Sequence, residues 1–179
     1  GTTHIAIALA STLTANGYPA VYTERNGNNH LRSMLQEHPA VKEQNGICYY
    51  KYFRGIPDYG QGIEPPDSGD AIYVKDFGVY QKDIIELGPE NFNLFILSGS
   101  PWDLAQTIST GLELSRLGNT AFICNYNNQS SAKKLAGKLG CKVYCFPFDG
   151  DAFTCTETKT DLFFHVLSFE FLNFRKRQP

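Results

Sequence analysis

A chain of 179 residues with 42% hydrophobic and 19% charged content can bury one sizeable core and is short for two, so one domain over residues 1–179 is expected. A net charge of -2 offers no overall attraction for nucleic acid or an anionic membrane, and no nucleic-acid partner is predicted. The five cysteines show neither a CxxC pair nor a Cys/His spacing suited to zinc. They read as reduced thiols in a cytoplasmic protein, and no stretch approaches the ~20 apolar residues of a membrane span or reads as a signal peptide.

Ile5, Leu9 and Leu13 fall on one helical face with Ala6 and Ala10 beside them, and Asn16-Gly17 is a good helix end. Val21-Tyr22-Thr23-Glu24 then reads as a short buried strand with a polar tip, the place where α/β folds keep their chemistry. Asn29 is predicted to cap a second helix running from His30 to about Glu37. The aromatic stretch 46–54 reads as one strand, and 55–69, with three prolines and four glycines, as a long surface loop.

Residues 71–78 form an apolar strand that delivers Asp76 and then Gly78. A short helix is expected over 80–87, a strand over 92–97, and a helix to about Gly118 with Ser100 as N-cap and Pro101 in its first turn. Thr120 to Cys124 is the next strand, ending at Asn125; a helix capped by Ser130 or Ser131 closes at Gly140. Residues 142–146 make the last strand, Asp149-Gly150-Asp151 a turn, and 161–174 a closing aromatic helix. Strands alternating with helices imply parallel β-α units with helices on both faces of the sheet.

The chain opens on Gly1-Thr2-Thr3-His4 feeding an apolar helix, which reads as the end of a phosphate loop of the pattern G-x-x-x-x-G-K-[ST]. Gly1 is then the last glycine, Thr3 the hydroxyl on the Mg²⁺ side, and Thr2 stands where the lysine belongs. Asp76 has two readings, a strand-end turn or a Walker B aspartate.

Gly1-Thr2-Thr3 before a helix, Glu24 and Asn26 after a strand, Asp76-Phe77-Gly78 and strand-end Asn125 together resemble the MinD/ParA family of deviant-Walker P-loop NTPases, in order and spacing over nearly the whole chain. The resemblance implies a three-layer α/β/α P-loop NTPase fold with a mostly parallel central sheet. It implies ATP or ADP with Mg²⁺ as cofactors, held at Gly1, Thr2, Thr3 and His4, with Thr3 and Asp76 on the metal, Glu24 and Asp76 organising metal and water, and Asn125 reading the base. Members of the family carry a strand and most of the phosphate loop before the position of Gly1, so the resemblance implies a further strand there, and with it an upstream lysine.

Thr2 in place of lysine removes a preorganised donor to a developing anion, a loss of about 3 kcal/mol in the transition state or roughly a hundredfold in rate. Backbone amides and the helix N-terminus still favour phosphate in the ground state. His4 has two readings, a source of positive charge or a ring packed beside the sheet. The altered loop resembles the atypical TadZ and CpaE type, which implies a localisation or assembly scaffold that docks other proteins or a second copy of itself. The alternative is a slow Mg-dependent ATPase switch. Trp102 fits either a partner surface or a cover for the sheet end. The C-terminal aromatic helix followed by Arg175-Lys176-Arg177 is read as a core-facing helix in preference to a membrane-surface anchor, because Phe163, Val166, Leu167 and Phe174 supply a core stripe.

Overall fold

The computed structural model describes residues 1–57, 62–65, 69–81, 91–98, 100, 102–117, 119–125 and 129–167. Within them the chain is α/β, with five helices, one mixed sheet and one parallel sheet. Helix α1 (Thr2–Ala15) is buried from Ile5 to Leu13 on every side, as a helix apolar all round requires. It ends as its sequence predicts. Gly17 takes a positive φ of 82°, its N–H reaches the Thr14 carbonyl and the Tyr18 N–H reaches Leu13, a Schellman stop.

Strand β1 (Ala20–Glu24) is fully buried and lies between β4 (Phe53–Ile56) and β5 (Ile72–Asp76), parallel to both. Helix α2 (His30–Glu37) follows β1, and strands β2 (Lys42–Gln44) and β3 (Ile47–Tyr50) extend the sheet antiparallel, giving the order β2-β3-β4-β1-β5. The expected single strand over 46–54 is therefore a hairpin. Lys51, at φ 51°, turns the chain and pairs Tyr50 with Phe53, a reversal that the unbroken aromatic run conceals.

The second sheet holds β6 (Asn93–Leu97), β7 (Thr120–Cys124) and β8 (Val143–Cys145), all parallel, with α3 (Leu104–Leu114) and α4 (Gln129–Leu139) between them in sequence. One central, mostly parallel sheet was the expectation; two separate ladders are found among the described residues. Alternate residues of β7 serve opposite faces. Ala121 and Ile123 join the cluster around α1, while Phe122 and Cys124 join Leu114, Leu135 and Leu139 of α3 and α4. Helix α5 (Glu157–Val166) packs against α1 and sends Phe163 and Val166 into the same cluster.

Three helix starts differ from the sequence reading. Helix α3 begins at Leu104 with Asp103 in the N-cap position; the Ser98 hydroxyl donates to the Asp103 carboxylate at 3.0 Å, and Ser100 contributes its carbonyl to the Asp103 N–H and is no N-cap. Helix α4 begins at Gln129, so Ser130 and Ser131 lie within its first turn and neither is its N-cap. Helix α5 starts four residues early, at Glu157, since the Thr156 hydroxyl accepts from the Lys159 N–H. Pro101, most of the helix expected over 80–87, and the chain after Leu167, with Phe174 and Arg175-Lys176-Arg177, lie outside the described residues.

Candidate functional site

Asp76 ends β5 and is 1% exposed, and its carboxylate is met by four donors. Oδ2 accepts from the Thr3 hydroxyl at 2.7 Å, the Tyr22 hydroxyl at 2.9 Å and the Asn26 side-chain amide at 2.8 Å, and Oδ1 accepts from the Gly78 N–H at 2.9 Å. A buried carboxylate needs such donors, because an unpaired one would cost several kcal/mol. Burial first, and then the Asp76 charge, push the Tyr22 phenol above its ordinary range, so Tyr22 serves as a proton donor.

Local rules bring these groups together. Glu24 and Asp76 are register partners at the carboxyl ends of β1 and β5, so the turns after both strands open at one edge. The amino end of α1 meets that edge through Thr3. The other sheet points the same way: His4 meets the Phe146 ring edge-on at 6.0 Å just past β8, so the carboxyl ends of β5 and β8 both lie at the start of α1. This helix begins with Gly1 as N-cap, no side-chain cap and no acidic residue in its first turn. Its first amides and its dipole thus favour an anion, with the Thr3 hydroxyl and the Asp76 carboxylate beside it.

Gly78 tightens the arrangement. It has φ 71°, and a Cβ there would lie 2.8 Å from the Asn26 Cβ. Gly78→Ala is therefore expected to cost about 1–3 kcal/mol through backbone strain, and to move Asn26 off Asp76, read as a lower urea midpoint. An unchanged midpoint would refute the constraint.

The other predicted site residues have different surroundings. Glu24 is 8% exposed and accepts from the His30 and Leu31 N–H groups at 2.8 and 3.2 Å. It is Glu24, therefore, that caps α2. Asn29 occupies the N-cap position in a left-handed conformation, φ 57°, without a side-chain cap bond, contrary to the sequence expectation. Thr2 lines a cavity beside β5, and Asn125 follows β7 with its N–H on the Leu97 carbonyl. His4 turns toward Phe146 and the Asp149 backbone. Tyr22 escapes sequence reasoning because a mid-strand tyrosine reads as core; its two-residue spacing from Glu24, which puts both on one face, was the available signal.

Burial, followed by nearby positive charge that includes Lys159, lowers the His4 pKa below the ordinary imidazole value. The neutral ring is thus favoured in the fold. Its contribution to stability is present above the unfolded value of ~6.5 and is lost as pH falls from there toward the lowered folded value. The melting temperature should drop between pH 7.5 and 5.5, and the drop should be smaller in His4→Gln. Equal drops in both chains would exclude His4 as the source.

Lys159 is a second group that the sequence does not announce. Its ammonium is 0% exposed and bonds the Asp149 carboxylate at 2.5 Å and the carbonyls of Asp151 and Thr154 at 2.7 Å each. Asp149-Gly150-Asp151 is a turn, as its sequence suggests, and it is clamped on its inner side by Lys159 and on its outer side by Lys51, 2.8 Å from Asp151. Trp102 is 82% exposed and covers no sheet end. Among the described residues no helix is long and apolar enough to cross a membrane. No protein-family model matches the chain, and no curated protein matches it significantly.

Proposed function

We propose that the chain binds the phosphates of an adenine nucleotide with Mg²⁺ at the start of α1, in a MinD/ParA-like P-loop domain of three-layer α/β/α type, and acts as a localisation or assembly scaffold. The observation that carries this reading is the 2.7 Å hydrogen bond from Thr3 to Asp76, which joins residues 73 positions apart at an uncapped helix N-terminus. A hydroxyl, one buried carboxylate and oriented amides suit a hydrated Mg²⁺–phosphate group, since Mg²⁺ takes one or two carboxylates and completes its shell with phosphate and water. The metal, when bound, supplies charge neutralisation. Thr3 and Asp76 orient it, and the α1 amides hold the phosphate.

Thr2 in the lysine position argues against efficient hydrolysis. Glu24, occupied by the α2 amides, is less available to a water than its place after β1 implies. The exposed Trp102 favours a protein-contact role, including a homodimer. Retention of Thr3 and Asp76 favours a second reading, a slow Mg-dependent ATPase switch.

Calorimetry with Mg·ADP and Mg·ATP tests the proposal. Binding is expected, weakened at least about tenfold by Thr3→Val, a loss of 1.4 kcal/mol or more. Turnover abolished by Asp76→Asn would favour the switch over the scaffold. Binding seen only in Thr2→Lys would mark a retired nucleotide site. Absence of binding in both chains would overturn the reading.

A further inference from the structure

Strands β7 and β8 set two cysteines side by side. Cys124 and Cys145, the last residues of these strands, are register partners, and the Cys124 carbonyl accepts from the Phe146 N–H at 3.0 Å, which fixes that register. Partners in a sheet point to one face, here toward α3 and α4. Cys124 is wholly buried in the cluster with Leu114, Leu135 and Leu139, and the partly exposed Cys145 packs against it. Cys141 packs on the same cluster but precedes β8, outside the paired residues of the ladder.

Neighbouring strands lie ~4.8 Å apart, within the Cα separation that a disulfide spans. We propose that Cys124 and Cys145 are a thiol pair that a small-molecule disulfide oxidises to a reversible cross-strand bond. Access sets the order of the steps. The partly exposed Cys145 thiolate attacks one sulfur of the small disulfide, forms an S–S bond to it and releases the other half as a thiol. The Cys124 thiolate then attacks the Cys145 sulfur, forms the protein disulfide and expels the second half. Cys124 and Cys145 lose two electrons and two protons in all, and the small disulfide gains them as two thiols. Proximity selects this pair, since burial raises the thiols of Cys145 and Cys141 alike. Reversibility has a geometric origin. Side chains stand roughly perpendicular to a sheet, so the two Cβ atoms start at about the strand spacing, whereas a relaxed disulfide holds them at about 3.8 Å. The bond closes by drawing β8 toward β7 and keeps part of that strain, which makes it easier to reduce than a structural disulfide. β8, three residues long and an end strand of its ladder among the described residues, is the side that gives. The closed bond clips β8 to β7 one residue before Phe146, whose ring meets His4. The inference is independent of nucleotide binding.

In the test, the folded chain is treated with oxidised glutathione, its remaining thiols are alkylated, and it is digested with trypsin, which cuts after Lys142 and so separates Cys141 from Cys145. A peptide joining Cys124 to Cys145 is expected at least about tenfold above any other cysteine pairing, and reduced glutathione should return both thiols. Cys141→Ser should leave the yield unchanged. Cys124→Ser should stop at the first step, with glutathione retained on Cys145; if that variant fails to fold, the cross-link in the parent chain still decides. Absence of the cross-link in the parent chain, whether or not glutathione stays on Cys145, would overturn the proposal. So would preferential pairing of Cys145 with Cys141, a cross-link that resists reduced glutathione, or one that forms only after urea has unfolded the chain.

Discussion

Replacing Lys159 by methionine is expected to destabilise the fold by about 3 kcal/mol, because the partly exposed Asp149 carboxylate and two backbone carbonyls lose a fully buried ammonium donor together. At roughly 2–4 °C per kcal/mol for a chain of this size, the melting temperature should fall by about 6–12 °C. Methionine fills much of the same volume, so the loss is that of the ammonium and its three acceptors. The Asp149 carboxyl, held below the usual carboxylate range first by its Lys159 hydrogen bond, should titrate at higher pH in the variant. Thermal unfolding together with an NMR titration of Asp149 measures both effects. A melting temperature within 2 °C of the parent, with Asp149 unshifted, would show that the clamp is dispensable.

Asp76→Ala should be comparably severe. The Tyr22 hydroxyl lies in the interior, and Thr3 and Asn26 are partly enclosed, so three side-chain donors and the Gly78 N–H lose one shared acceptor. A buried unsatisfied group costs about 1–3 kcal/mol, and the donors partly compensate for one another or reach water, so a loss of about 3 kcal/mol is expected in urea unfolding. The Tyr22 phenol, raised by burial and by the Asp76 charge, should ionise at lower pH once that charge is gone, visible in its ultraviolet titration. Thr3→Val removes one partly buried hydroxyl, whose main bond is to Asp76, and should cost only about 1 kcal/mol. If Thr3→Val matched Asp76→Ala, the carboxylate would not be the hub.

Much of this was legible because local chemistry and global fold agree. The Asn16-Gly17 stop, the apolar run into Glu24, the strand delivering Asp76 and the helix ending before Gly140 each carry a period or a punctuating residue, and each element is found within a residue or two. The hairpin at Lys51 was not legible. A left-handed lysine has no sequence signature, and the strands on either side are both aromatic. The cap of α2 was hidden for another reason: Glu24 lies six residues before His30 and reaches its amide across the turn, whereas capping patterns look only at adjacent positions. For the site, the Thr3, Asn26 and Asp76 positions follow from order along the chain, but Tyr22 and Lys159 act through tertiary contacts whose partners are fixed only once the strands align.

The complete burial of α1 has a consequence for how the molecule comes apart. Its central turns share one apolar cluster with residues of both ladders, including Ala20 and Tyr22 on one side and Ala121 and Ile123 on the other. Each ladder has its own backbone hydrogen bonds, so cohesion between the two halves rests mainly on side chains gathered around this helix, with the Lys51–Asp151 ion pair as an exposed addition. Unfolding should therefore be all-or-none while α1 is well packed and should separate into two transitions when its packing is loosened. The helix that starts the chain sets the molecule's cooperativity.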